Sequence, residues 1–284
     1  MKHVYQQKLC LGLLGNVPAL KQIPMLRDAG FDGFFSGWDR NTDLQTLKKT
    51  GEQAGMLYQS VHAPFHHVDA LWHENAHTSQ AVEELVDCVR ATADAEVSIM
   101  VCHAFIGFDK HCPTSEGLRN FEPIIREAER LGVKVALENT EGEEYLAALM
   151  QHFAGSPAVG FCWDTGHEMC YNHSQNMLAL YGDRLLCTHL NDNLGIKDYT
   201  GQISWRDDLH LLPFDGIGDW GNIVRRLNQH HFDGPLTFEL TTASKEGRHD
   251  NDFYASMDFR VYLAMAYQRA CRIAALKLKD CTRE

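Results

Sequence analysis

A chain of 284 residues is long enough for one large α/β barrel or for two small domains, and its 44% hydrophobic content supports a sizeable core. A formal charge of −12 with no Lys/Arg-rich stretch argues against a nucleic-acid-binding surface. No charged segment leads into an apolar stretch at the start, and no run of 18 apolar residues occurs, which predicts a cytoplasmic protein without a membrane span.

Eight strand candidates follow one another at 8–14, 31–37, 56–63, 98–104, 133–139, 159–164, 185–190 and 235–240. Each is a run of apolar and β-branched residues with glycine or proline nearby. Helical patterns separate them, and Gly30, Gly55 and Gly132 close three of those helices just ahead of a strand. The strongest pattern covers 116–131, with Leu118, Phe121, Ile124, Ile125, Ala128 and Leu131 on one face. The stretch 252–278 reads as a final helix longer than one barrel unit and leaves room for a homo-oligomer contact. This alternation, without a composition break, predicts one domain over 1–284: a single (β/α)8 TIM barrel with a long C-terminal helix. Nine cysteines lack a regular spacing, and Cys10, Cys102, Cys162 and Cys187 lie inside strand-like runs. Reduced thiols are expected.

Four of the strand candidates end on a metal-ligating side chain: Glu138 in VKVALENT, Asp164 in VGFCWDTGH, His189 in LLCTHLND and Glu239 in PLTFELT. Asp164 follows Glu138 by 26 residues and His189 follows Asp164 by 25, each about one βα unit. Burying a lone carboxylate is costly unless it is paired or bound to a cation. Three carboxylates and one imidazole on four strands suit a divalent ion such as Mn²⁺, Mg²⁺, Co²⁺ or Zn²⁺. The wide interval before Glu239 holds a segment, 193–220, rich in Asp, Gly and Trp, of the kind that carries function at a barrel's working end.

Other signals are weaker. His66, His67, His73 and His77 read as loop histidines, and His230 and His231 as the close of a helix. Trp38, Phe65 and Trp205 are candidate pocket walls, whereas Trp163 reads as packing. FDGIGDWGN reads as a turn into a capped helix rather than a phosphate cradle. No GxxxxGK[ST] or G-x-S-x-G pattern occurs, and no nucleotide cofactor and no serine nucleophile are expected.

Taken in order, SVHAPF, ALENT, WDTGH, HLND, DLHLLPFDGIGDW and LTFEL resemble the xylose-isomerase-like barrel superfamily over roughly residues 8–240. That superfamily contains sugar and sugar-phosphate isomerases and epimerases, inosose dehydratases and metal-dependent apurinic endonucleases. The resemblance implies that Glu138, Asp164, His189 and Glu239 are the primary metal ligands. It also brings His62, His103, His167, Asp208 and His210 to the substrate. In the endonucleases these five positions complete a three-metal cluster, whereas isomerases use several of them to hold hydroxyl groups. The leading expectation is isomerisation or epimerisation of a sugar, sugar phosphate or related polyol, with Glu138 and Glu239 moving the proton across an enediolate. An inosose-type dehydration and a three-zinc hydrolysis at abasic DNA are the alternatives on the same scaffold.

Overall fold

The computed structural model describes residues 7–15, 17–73, 76–109, 112–196 and 203–281, with side chains to residue 277. Eight strands form one parallel sheet: β1 Leu9–Gly12, β2 Gly33–Gly37, β3 Leu57–His62, β4 Ile99–His103, β5 Lys134–Glu138, β6 Val159–Asp164, β7 Leu185–His189 and β8 Leu236–Phe238. Among the described residues ten α-helices accompany them: α1 Ala19–Ala29, α2 Leu44–Gln53, α3 Thr78–Asp94, α4 Ser115–Leu131, α5 Glu143–His152, α6 Thr165–Cys170, α7 Met177–Tyr181, α8 Trp220–Gln229, α9 Asp252–Ala255 and α10 Phe259–Cys281. Each strand lies within or on the span that its apolar run predicts.

The strand order runs β7-β6-β5-β4-β3-β2-β1-β8. A parallel bridge between Leu190 and Phe238 joins the two ends, and the Leu190 N–H donates to the Thr237 carbonyl at 2.8 Å. The architecture is a (β/α)8 barrel. Its strands read as unbroken apolar runs because both faces are covered. Small side chains, Val101, Ala136, Cys162 and Cys187, fill the barrel interior. The larger cluster, with Phe31, Phe34, Phe121 and Phe161, packs with residues of the surrounding helices.

Register decides which residues meet at the barrel's C-terminal end. His103 pairs with Glu138 across β4 and β5, and Asp164 pairs with His189 across β6 and β7. The second pairing depends on a shift between Phe161 and Cys162. Without that irregularity Asp164 would face Thr188, one residue out of step, and side chains one residue apart point to opposite faces of a sheet.

The helix over 115–131 forms as its pattern predicts, with Phe121, Ile124, Ile125 and Ala128 buried. Thr114 caps it by accepting from the Gly117 N–H, and left-handed Gly132 ends it. The long C-terminal helix is present as α10, but it starts seven residues later than its pattern predicts. The stretch 252–278 is two helices, not one, broken at residues 256–258. Asp258 starts the second by accepting from the N–H groups of Arg260 and Val261 at 2.9 and 3.3 Å, which is the work of an N-cap. No helix among the described residues is long and apolar enough to cross a membrane.

Candidate metal centre

Glu138 ends β5 and is fully buried. One carboxylate oxygen lies 2.9 Å from Nδ1 of His189, and the other lies 3.3 Å from Nε2 of both His62 and His103. Glu239 follows β8, and its Oε2 is 3.2 Å from the same His189 nitrogen. Asp164 ends β6 and caps α6, accepting from the His167 N–H at 2.7 Å. Its second oxygen accepts from Nδ2 of Asn191 at 2.9 Å. Ligand atoms of Glu138, Asp164, His189 and Glu239 all lie within 4.8 Å of one another. So the four strand-end residues, far apart in the chain, do converge.

Two further groups flank this one. His62, His103 and Glu138 meet on one side, and His167, Asp208 and His210 on the other, each within the same 4.8 Å. His167 links the groups. Its Nδ1 is 3.7 Å from Glu138 and 3.8 Å from Asp164, while its Nε2 is 3.5 Å from Asp208. His210 Nε2 lies 2.7 Å from the other oxygen of Asp208. The His210 backbone is left-handed at φ 45, a conformation that costs a non-glycine residue on the order of 1 kcal/mol. That strain turns the ring of a loop residue into the barrel mouth.

Asparagines that the sequence pattern did not single out hold the ligands in place. Asn139 accepts from the Asp164 N–H and donates to the Asp164 carbonyl, both at 2.8 Å. Its amide also donates to Asn172 at 2.9 Å. Gly166 is required here, because a Cβ at that position would come within 1.9 Å of the Asn191 side chain. Asn139 and Asn191 each sit next to or near a recognised ligand, in ALENT and HLND, which was the signal available in the sequence. Asp192 serves the neighbouring turn, accepting from the N–H groups of Phe214 and Gly218 and from Nε1 of Trp220. The FDGIGDWGN segment is therefore a turn built around a buried carboxylate, and Asp219 caps α8 behind it.

The donor set fits divalent ions. His103 Nδ1, His167 Nδ1, His189 Nε2 and Asp208 Oδ1 are buried without a hydrogen-bond partner, an arrangement that ordinarily costs stability. Burial raises the Glu138 carboxyl, but the His189 charge and hydrogen bonds with His103, His189 and His62 outweigh it and hold Glu138 well below its ordinary range. Glu239 falls to about 2 because His189 and His210 outweigh its burial. Burial pushes Asp164 up to about 6, against the pull of His167 and His210. Burial also opposes charge on His167 and His189, yet the carboxylates around them hold both well above the usual histidine range. Without cations, protons on these imidazoles balance the carboxylates.

A cavity of about 920 Å³ opens beside the cluster, walled in part by Phe35, Trp38, Phe65 and His66. His62 and Glu239 reach it, whereas Glu138, Asp164 and His189 are not among its lining residues. Trp38 and Phe65 are thus pocket walls. Trp205 is not: it is exposed, with the Arg206 guanidinium 4.9 Å over its ring. Trp163 is fully buried, donates to Glu168 at 2.9 Å and packs under Arg226. His66, His67, His73 and His77 are exposed loop residues, and His230 caps the end of α8.

A family model described as xylose isomerase-like TIM barrel matches residues 23–259. The uncharacterized protein y4fM of Sinorhizobium fredii is 27% identical, over 91% of this chain and 88% of its own length. A solved L-ribulose 3-epimerase superposes with a TM-score of 0.72 at 15% identity, covering 98% of this chain and 97% of that one. A solved fusion of a xylose isomerase-like TIM barrel with a 4-hydroxyphenylpyruvate dioxygenase superposes at 0.67 and 14% identity over 88% of this chain, which spans 41% of the fusion's length. At such identities the structural likeness is one of fold. With the family model spanning most of the barrel, the chain belongs to the xylose isomerase-like TIM barrel family.

Proposed function

We propose that the protein is a divalent-metal-dependent isomerase or epimerase of a sugar, sugar phosphate or related polyol. The observation that carries this reading is the four-ligand cluster beside a cavity with aromatic walls, with Glu239 belonging to both. The L-ribulose 3-epimerase of the same fold supports it. Glu138, Asp164, His189 and Glu239 would hold Mn²⁺, Mg²⁺, Co²⁺ or Zn²⁺. When bound, such an ion supplies Lewis acidity that polarises a carbonyl and acidifies the neighbouring C–H.

The protein's own residues do the rest. Glu239 is ionised and faces the cavity, so it takes the proton next to the carbonyl. Glu138 is the second proton carrier, but its carboxylate is sealed beneath imidazoles. His62 both lines the cavity and lies 3.3 Å from Glu138, so it relays that proton. Removal on one face and return on the other gives an epimer; return to the adjacent carbon gives an isomer. Phe35, Trp38 and Phe65 exclude water and pack against the C–H face of the sugar. His103, His167, Asp208 and His210 orient hydroxyl groups around the cluster.

The test is deuterium exchange. Purified protein supplied with Mn²⁺ or Co²⁺ and a panel of ketoses in D₂O is expected to label the carbon next to the carbonyl of one of them. No exchange with any ketose, at full metal content, would sink the reading.

The two flanking ligand groups favour a second reading, hydrolysis of a phosphodiester at abasic DNA with three ions. Nicking of an abasic duplex by the purified protein is its direct assay. A dehydratase would share the first proton abstraction and be told apart by loss of water in the product.

A further inference from the structure

The three ligand groups are unequal in charge. The central group has three carboxylates, Glu138, Asp164 and Glu239, around one imidazole. The group of His167, Asp208 and His210 has one carboxylate for two imidazoles. That one carboxylate is already engaged by a cation. Lys245 places its Nζ 3.2 Å from Oδ2 of Asp208, the oxygen that also faces His210 Nε2 at 2.7 Å.

The contact is built into the fold. Lys245 lies in the loop after β8, 37 residues beyond Asp208, and the two segments are stitched together along their length. The buried Asn251 donates to the carbonyl of Leu209 and to that of Ala243, both at 3.2 Å, joining the residue after Asp208 to one two positions before Lys245. Ser244 fixes the loop from the other side, accepting from the Asn251 N–H at 2.9 Å and donating to Asp252 at 2.6 Å. Arg206 pairs with Glu246 at 2.6 Å and Arg248 with Asp207 at 3.6 Å. With Lys245–Asp208 they make three ion pairs between the same two segments. About three quarters of the lysine side chain is out of solvent, which leaves its charge poorly screened.

We infer that Lys245 supplies, with its own ammonium, the cation of the His167–Asp208–His210 group, so that this group takes no divalent ion. An ion bonded to the Asp208 oxygen that Lys245 faces would lie within roughly 5 Å of the ammonium, given metal–oxygen bonds near 2 Å. Glu138, Asp164 and Glu239 stand 3.7 to 3.8 Å from His167 or His210 but already belong to the central group, so such an ion would meet the ammonium with one carboxylate of its own. The lysine instead holds Asp208 by the oxygen that faces His210, leaving the imidazoles to bind substrate hydroxyls. The central group lacks such a cation among its described neighbours and keeps its capacity for metal. The inference concerns charge alone and stands whichever reaction the cavity performs.

The experiment is zinc titration of the ion-free protein, read as ions per chain by native mass spectrometry. Asp208→Asn and His210→Gln in the otherwise wild-type chain are expected to leave the zinc count unchanged. Lys245→Met is expected to gain one ion per chain, and adding Asp208→Asn to it to remove that gain. Lys245→Arg, which keeps the charge, should bind as the wild type does. Loss of one ion in Asp208→Asn or His210→Gln overturns the inference, because the group would then hold metal with Lys245 in place. So does a folded Lys245→Met protein with no added ion. If Lys245→Met does not fold, as judged by circular dichroism, the wild-type-background variants still decide.

Discussion

Phe35 lies flat against His189, with ring centroids 4.6 Å apart and planes 16° from parallel. Phe65 covers His103 in the same way, again at 4.6 Å and 16°. Both phenylalanines line the cavity, so each is at once a wall of the pocket and a brace for an imidazole of the ligand cluster. Gly12 makes the first arrangement possible, because a Cβ there would come within 2.6 Å of the Phe35 ring. The braces restrain rings whose orientation decides ligand geometry.

Loss of the brace is expected to weaken metal binding. Phe35→Leu keeps an apolar side chain of similar bulk but removes the stack, and should raise the dissociation constant about 10-fold, as loss of a ligand's supporting contact typically does. Competition against a fluorescent chelator measures it. An unchanged constant would leave Phe35 as packing alone.

Glu138→Gln and Asp164→Asn are each expected to lose the central ion, since both carboxylates face His189 or its neighbours without access to water. Elemental analysis of the purified variants reads the loss. Full metal content in both would remove these residues from the ligand set.

Metal binding is expected to release protons and to tighten as pH rises. His189, the imidazole of the central group, is held protonated well above its ordinary range in the ion-free protein, because Glu239 and Glu138 outweigh its burial. A nitrogen must lose its proton to ligate, so the central ion displaces that proton and gains affinity as pH rises. Below about 6 the Asp164 carboxyl also protonates, and affinity falls further. Calorimetry at pH 7 in buffers of different ionisation enthalpy counts the protons; no release would contradict the charge assignment.

Glu239→Gln is expected to abolish deuterium exchange by about 10²–10⁴-fold, the usual worth of a general base. His62→Gln should slow exchange while leaving the central ligands in place, because it interrupts the path to Glu138. Equal loss of metal and exchange in His62→Gln would reduce His62 to a ligand.

Nicking of an abasic duplex is expected to be absent at ordinary salt. The chain carries a net charge of −12, and no Lys or Arg is among the described residues lining the cavity. Phosphate-backbone binding draws its energy from such groups. Efficient nicking that disappears in Glu239→Gln would overturn the carbohydrate reading.

The amino-acid sequence by itself determined the eight strands, because a parallel barrel strand buried on both faces must be a short unbroken apolar run. It also determined which side chains are candidate ligands. Glu138, Asp164 and His189 stand at the last position of a strand and Glu239 just beyond one, where polar groups mark the barrel's working end. Those signals are local, confined to residues within a few positions of one another. The tertiary structure alone decided the register shift between Phe161 and Cys162 that sets Asp164 opposite His189. It alone brought Phe35 onto His189, and Lys245 to Asp208 across 37 residues. It also broke the final helix at residues 256–258, where continuous helical periodicity hid Asp258 as a cap. Strand register, ring stacking and a charge's partner depend on which distant backbones come to lie side by side. No periodicity along the chain records that.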